Sequence, residues 1–256
     1  MQEIIKTLSK SPITPIKMDL DSKFTFRCHK GLECFTSCCG KIDIFLTPYD
    51  IVRMKNRLNI TSTEFIALYT VVSELQKTKL PLLMLKMTSE GKCPFVTEEG
   101  CSIYSDRPVA CRYYPIGFGL LRSKEVGGGD FFFPIKEDFC KGYNEDKEWT
   151  VRQWREAQEI NVFDDINKFW FDIILQKKLR APDLVPDDKS FRLFVFASYD
   201  VDSFRNFVFE SDFLKKFDVP GDVLERIKEE ETELLKFAHR WLRGVLFGEQ
   251  EFKKKT

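Results

Sequence analysis

Residues 34–40 read CFTSCCG, Cys34 to Gly40, with three thiols in six residues and two of them adjacent. Neighbouring side chains on a strand point to opposite faces, so packing alone would not select two thiols side by side. The stretch reads as a loop wrapped around something. A wider window strengthens that reading. All eight cysteines, Cys28, Cys34, Cys38, Cys39, Cys93, Cys101, Cys111 and Cys140, lie between residues 28 and 140, and the 116 residues after Cys140 carry none. A small hydrophobe scattered by packing would not leave nearly half a chain empty, so the distribution points to a shared task in the first part of the chain.

The compartment decides what the task is. In MQEIIKTLSKSPITPIKMDL, lysines and prolines interrupt any apolar run of signal-peptide length, and no other stretch approaches about 18 uninterrupted apolar residues. The expectation is a cytoplasmic protein with no membrane partner. Lys plus Arg (40) balances Asp plus Glu (40), so no global field favours nucleic acid. Cytosolic thiols are kept reduced, and a cysteine pattern there reads as metal-binding or catalytic before it reads as disulfides.

Soft thiolates select zinc, copper(I) or iron–sulfur clusters. No two of the eight form the C-x2-C pair of a zinc knuckle; the intervals are five, three and zero residues, a long gap, then seven, nine and twenty-eight. Such spacing favours ligands gathered from several loops and leaves zinc and a four-iron cluster both open. Eight thiols exceed one four-coordinate site, so either two sites exist or some cysteines only pack. Adjacent thiolates on one metal would strain the peptide between them, so either one of Cys38 and Cys39 ligates or the pair bridges two irons. The thiols are expected to converge on one inorganic centre, or on two near each other.

The second half of the pattern is GKCPFVTEEGCSIYSDRPVACRYYP, Gly91 to Pro115. Arg107 and Arg112 flank Cys111, and nearby cations lower a thiol's pKa and help to hold a cofactor of net negative charge, so both count as candidate cofactor-binding residues. Pro94, Pro108 and Pro115 fix the local path, which suits a preorganised loop.

FRCHKGLECFTSCCG, then LTPYDIVRMKNRL, then KCPFVTEEGCSIYSDRPVACRYYP, then Cys140 before EWTVRQW, together resemble the YkgJ-type cysteine-cluster family over roughly residues 24 to 160. The most specific part is C-x-I-Y-x-x-R-P-x-x-C-R-x-Y-P. The family pattern is C-x2-C-x2-C-C, whereas this chain has Cys28-x5-Cys34-x3-Cys38-Cys39, a spaced-out variant. The resemblance implies a zinc- or iron-chelating domain with Cys28, Cys34, Cys38, Cys39, Cys93, Cys101 and Cys111 as its clustered cysteines and Cys140 as an eighth. It also implies a relation to flagellin lysine methylases, enzymes that combine a cysteine-bound iron–sulfur centre with S-adenosylmethionine. An enzyme of that kind would be a metal-dependent lysine N-methyltransferase or an oxidoreductase with a protein or peptide substrate. The residues themselves single out no catalytic group. GGGD (Gly127 to Asp130) precedes FFFPI, a strand-like run, and reads as a hairpin turn rather than a nucleotide cradle. With His29 and His239 so far apart, a histidine-rich catalytic zinc site is not expected.

The element grammar predicts an α+β fold. Thr47 is a candidate N-cap with Pro48 at the first helical position and Ile51, Val52, Met54 and Leu58 as an apolar face; Thr61 opens a second helix with Phe65, Ile66, Leu68 and Tyr69 facing the core. FTFRC alternates like a strand, and PLLMLKM, KCPFV, YPIGFGLL and DFFFPI suggest a small antiparallel sheet with Pro134 ending its last strand. From Thr150 to Gln176 the apolar spacing predicts one or two helices, and the eight phenylalanines from Phe191 to Phe217 are assigned to helices and mostly to the core. Glu229 to Phe247 reads as an amphipathic helix stopped by Gly248, with Leu234, Leu235, Ala238, Trp241, Leu242 and Val245 on one side. The expected division is a cysteine-cluster metal-binding domain over 20–148 and a helical region over 149–256 packed on it. Nothing in the sequence speaks to oligomeric state.

Overall fold

Thr47, Thr61 and Thr150 each start a helix, and each closes a reciprocal capping box, with Asp50, Glu64 and Gln153 respectively. In every case the threonine hydroxyl accepts a backbone N–H one turn on, while the third residue's side chain reaches back to the threonine N–H. These features come from a computed structural model that describes residues 12–13, 16–40, 42–75, 79–121, 129–180, 184–249 and 252–255. The leader reading of residues 1–11 and 14–15, Gly127 and Gly128 of the GGGD break, and Ala181 to Asp183 of the APDLVPDD segment lie outside them.

The chain divides into two units that interleave in sequence. The first comprises Met1–Ile42, Phe95–Ser102 and Ala110–Asn161, the second Asp43–Pro94, Ile103–Val109 and Val162–Thr256.

In the first unit, strand Lys23–Thr25 pairs antiparallel with Glu148–Thr150. Ile116–Leu121 forms a hairpin with Gly129–Pro134, and Val96–Thr97 pairs with Gly100–Cys101. Pro134 ends its strand, as its missing N–H requires. The helix Val151–Ala157 stops at Gln158, Glu159 turns at φ 56, and a separate helix, Ile160–Arg180, follows, of which Val162 onward belongs to the second unit. The predicted apolar stretch is therefore two helices.

In the second unit a three-stranded antiparallel sheet has the order Phe45–Leu46, Leu80–Leu85, Thr70–Leu75. The helix Pro48–Leu58 buries Ile51, Val52 and Met54. Asp50, fully buried, accepts from Thr47 N (2.7 Å), Thr47 Oγ1 (2.8 Å) and Val109 N (2.7 Å), which ties the 103–109 segment into this unit. The phenylalanine-rich stretch is helical, over Asp188–Tyr199, Val201–Glu210 and Phe213–Lys216, and Phe194, Phe204 and Phe213 are buried. Gly248, at φ 73, stops the last helix, Glu231–Phe247.

Among the described residues ten α-helices accompany these small antiparallel sheets, an α+β architecture. Several details differ from the sequence reading. The apolar runs sit in several separate sheets rather than one, and Thr70–Leu75 is a strand that the helical reading of that region did not foresee. Leu68 is 60% exposed, because the short helix Ser62–Tyr69 turns Ser62, Phe65 and Tyr69 to one side and Leu68 falls off that face. The last helix begins at Glu231, behind a separate helix Gly221–Glu229, and Val245 in its final turn is 49% exposed. No helix among the described residues is long and apolar enough to cross a membrane.

Candidate metal centre

The Lys23–Thr25 ladder does not end cleanly. Beyond it Phe26 N donates to Lys147 O (2.9 Å) and Arg27 N to Gly142 O (3.0 Å), so the chain is handed across to the 140–142 segment just before it reaches Cys28. An aromatic box fixes that crossing. Phe26 meets Tyr114, Tyr143 and Trp154 edge-on at 6.0, 5.4 and 5.6 Å, and Trp149 Nε1 donates to Phe26 O at 2.9 Å. Residue 142 has to be glycine here, since a Cβ would stand 2.6 Å from the Phe26 ring and 3.1 Å from Arg27 O.

After Cys28 the backbone winds through successive tight turns. Leu32 N bonds His29 O (3.1 Å), Phe35 N bonds Leu32 O (2.9 Å), Ser37 N bonds Cys34 O (3.0 Å) and Cys39 N bonds Thr36 O (2.9 Å). Thr36 sits in the left-handed region at φ 67, and Ser37–Cys39 forms a turn of 3₁₀ helix. With about three residues per turn, adjacent side chains there diverge far less than on a strand. Cys38 and Cys39 therefore stay on one side of the loop, where their side chains hydrogen-bond. The loop is latched on two sides: Lys30 pairs with Glu99 and the Phe35 ring packs against Gly100, while His29 Nε2 lies 3.2 Å from Glu145 Oε2. Lys141 N donates to Cys34 Sγ at 3.2 Å.

The fold thus brings Cys28, Cys34, Cys38, Cys39 and Cys140 into one neighbourhood. Burial first, and then the thiols of Cys38, Cys34 and Cys140, push the Cys28 thiol up from 9.0 to about 11. The Cys39 hydrogen bond, outweighing desolvation, brings Cys38 down from 9.0 to about 7. Two tyrosines face the same thiols. Burial, and next the Cys140 side chain, hold the Tyr114 phenol protonated well above its usual range, and burial followed by Cys140 does the same to Tyr143. The Tyr143 hydroxyl is engaged, its proton shared between Pro115 O (2.7 Å) and Ile135 O (3.0 Å). The Tyr114 hydroxyl is buried, with the Cys140 side chain as its neighbour.

The elements that carry the other expected site residues are as follows. Cys101 closes the Val96–Cys101 hairpin and Cys111 lies on the helix Val109–Tyr113. Cys93 belongs to the second unit. Arg112, 2% exposed, donates to Gln158 O (2.8 Å) and to Glu159 Oε2 (3.1 Å), clamping the end of the Val151–Ala157 helix. Arg107, in the second unit, stacks 3.8 Å from the Tyr104 ring and donates to Tyr104 O (2.5 Å). None of the eight cysteines is in a disulfide. Among the described residues no three Cys, His, Asp or Glu side chains stand close enough together to hold one metal ion. The sequence reading missed Tyr114 and Tyr143 as parts of the site, although Tyr114 is the tyrosine of the C-R-x-Y-P segment it quoted.

Residues 27–158 match the model of the CxxCxxCC family, described as "Putative zinc- or iron-chelating domain", and that span is just over half of the chain. The chain belongs to this family. No curated protein and no solved structure matches it. The CxxCxxCC span starts beside Cys28, ends at the Gln158 carbonyl that receives Arg112, and takes in all eight cysteines and both site tyrosines.

The donor set fits the metals of the CxxCxxCC description. It is all sulfur, which suits zinc and iron–sulfur chemistry and disfavours hard cations. The neighbouring thiols suppress the ionisation of Cys28, and a bound cation would relieve that, because the ion's charge inverts the local preference and holds its ligands as thiolates.

Proposed function

We propose that the first unit of this CxxCxxCC protein holds zinc or an iron–sulfur cluster through Cys28, Cys34, Cys38 and Cys140, in a reduced, cytoplasmic protein. The observation that carries the reading is the set of neighbours around Cys28: Cys38, Cys34 and Cys140 all act on its thiol, from two segments more than a hundred residues apart in sequence. The centre would draw the sulfurs of Cys34, Cys38 and Cys140 in around Cys28, closer than they stand among the described residues, with the backbone N–H of Lys141 on Cys34 as an outer donor. Bound there, the group supplies charge neutralisation and a cross-link between the 28–39 loop and the 140–142 segment. The residues around it position the thiols: Gly142 admits the Phe26 ring, and His29–Glu145 pins the loop. Because the loop between Cys28 and Cys39 is a run of short turns, binding free energy doubles as folding free energy for that region.

Anaerobic purification followed by an absorbance spectrum, metal analysis and a sulfide assay tests the proposal. Iron with acid-labile sulfide and a brown colour identifies the cluster, and a colourless protein with stoichiometric zinc identifies the zinc form. A chain that carries neither and takes up neither rejects the proposal.

A second reading, methyl transfer from S-adenosylmethionine to a protein lysine, rests on the resemblance of the Cys28–Pro115 motifs to flagellin lysine methylases. Calorimetry of the metal-loaded protein with S-adenosylmethionine tests it, and an absence of binding heat removes it while leaving the metal centre in place.

A further inference from the structure

We infer that the strand Thr70–Leu75 is a dimerisation edge, which pairs antiparallel with the same strand of a second copy of this chain about a two-fold axis at Val72. The surface lies wholly in the second unit and does not depend on the metal centre. In the sheet order Phe45–Leu46, Leu80–Leu85, Thr70–Leu75 the last strand stands at an edge, and among the described residues no further strand pairs with it. Two hydrogen bonds fix which of its backbone groups face outward. Lys86 N donates to Tyr69 O at 2.8 Å, and the register sets Thr70 beside Leu85, so Tyr69 and Lys86 are a hydrogen-bonded pair. Such pairs alternate along an antiparallel ladder: Val71, Ser73 and Leu75 turn their N–H and C=O inward, and Thr70, Val72 and Glu74 turn theirs out. Leu85 N, which donates to Ile44 O at 2.9 Å on the other side of the central strand, keeps the same alternation.

Open edges are ordinarily blunted by proline, lysine or a bulge. TVVSEL holds no proline, glycine or lysine, and Val71 and Val72 are 40% and 56% exposed. Across a two-fold, outward groups must meet outward groups. The register that uses Thr70, Val72 and Glu74 together sets Val72 against Val72 and Thr70 against Glu74 of the other copy, each pair exchanging both its bonds. Branched side chain then meets branched side chain, and the two Glu74 carboxylates stay apart. Charge points to the second copy as the occupant. Thr70, Val72 and Glu74 share one face by alternation, and on it Val72 lines a groove with Ile66, Val195, Phe196, Arg192 and Asp200. Asp200 is satisfied inside the fold by Ser62 Oγ (2.7 Å) and Thr63 Oγ1 (2.9 Å). Arg192 is exposed and forms no ion pair or hydrogen bond among the described residues; Asp187, the carboxylate it acts on through space, is spent capping Ser190 N at 2.7 Å. The two-fold carries Glu74 of the second copy, opposite Thr70, to the face where this unpaired cation stands. The exposed pair that Glu74 makes with Lys79 at 3.0 Å is of the kind that costs little to exchange.

Sedimentation velocity of the full chain over a concentration series, with hydrogen exchange resolved to single amides, tests the inference. Wild type should show a monomer–dimer equilibrium with Kd about 1–100 μM, and the outward amides of Thr70, Val72 and Glu74 should exchange more slowly as the dimer fills. V72K sets like charges against each other at the axis and should weaken the dimer about tenfold or more. E74R and R192E should each weaken it about threefold or more, and the double variant E74R/R192E should recover most of the loss, as coupled partners do. All three positions are exposed, so every variant should melt within a few degrees of wild type. A wild type that stays monomeric up to about 1 mM overturns the inference. Fast outward amides in that monomer would mean an edge that a second copy does not use, and slow ones an edge covered by the chain's own segments. A dimer of unchanged affinity in V72K places the contact elsewhere and overturns it too. Should V72K fail to fold, the charge pair decides: loss in the single variants without recovery in the double overturns the register. None of these readouts depends on metal content, so failure here leaves the metal centre standing.

Discussion

Cys28 and Cys38 are pulled in opposite directions by surroundings only a few residues apart. Cys28 is the exposed member of the eight, yet its thiol is raised to about 11; Cys38 is half-buried and lowered to about 7. For Cys38 the folded value lies below the unfolded one near 9.0, so its contribution to stability is complete above pH 9 and is lost as the pH falls through about 7. For Cys28 the sign reverses: its contribution is complete below pH 9 and is lost as the pH rises through about 11. Exposure alone would make Cys28 the first to react with an alkylating agent. In the metal-free protein at pH 8 we expect Cys38 to be modified first and Cys28 to lag, read by peptide mass mapping after short pulses, because the thiolate is the nucleophile. Faster labelling of Cys28 than of Cys38 would contradict the electrostatics described for this loop.

Between elements, the contact that joins the 26–28 crossing to the 140–142 segment is the one to break. Gly142→Ala puts a methyl 2.6 Å from the Phe26 ring, an overpacking expected to cost about 1–3 kcal/mol and to push Cys28 away from Cys140. Denaturant unfolding should show the loss, and metal affinity should fall with it; an unchanged midpoint would mean that the aromatic box yields freely. Thr61→Ala removes one side of a capping box and should cost about 1 kcal/mol, with no effect on metal content. Caps of this kind were legible in the sequence because three residues suffice to encode them, and so were the apolar stripes at helical spacing from Val151 to Ile173. The strand Thr70–Leu75 was not, because its side chains lack strict alternation and it follows a helix with no glycine or proline between them. At the site, the cysteines announced themselves by type and clustering. Tyr114 and Tyr143 did not, since a tyrosine beside apolar residues reads as core until its hydroxyl is placed.

For the whole molecule, long-range pairings decide what no local pattern carries. Asp50 on the first long helix takes the amide of Val109, and Arg112 takes the carbonyl of Gln158, so the chain leaves one unit and re-enters the other where the sequence shows no linker. His239 gives the second unit a pH response. It is fully buried, its Nδ1 has no partner and its Nε2 lies 3.5 Å from Ser198 O; burial lowers its pKa to about 3 from 6.5. The sign is that of a depressed value: the stability it contributes is present above pH 6.5 and is lost as the pH falls toward 3. His239→Gln, neutral throughout, should flatten the melting temperature against pH across that window relative to wild type, and parallel curves would show that His239 takes no part in acid unfolding.

The proposed centre of the first unit has four thiols meeting one metal. The direct measurement is metal content per chain, after anaerobic purification, of the wild type and of single Ser substitutions at Cys28, Cys34, Cys38 and Cys140. The account predicts stoichiometric zinc, or iron with acid-labile sulfide, in the wild type and loss of most of it in each of the four variants. Full metal content in all four variants, or none in the wild type even after reconstitution, would contradict it.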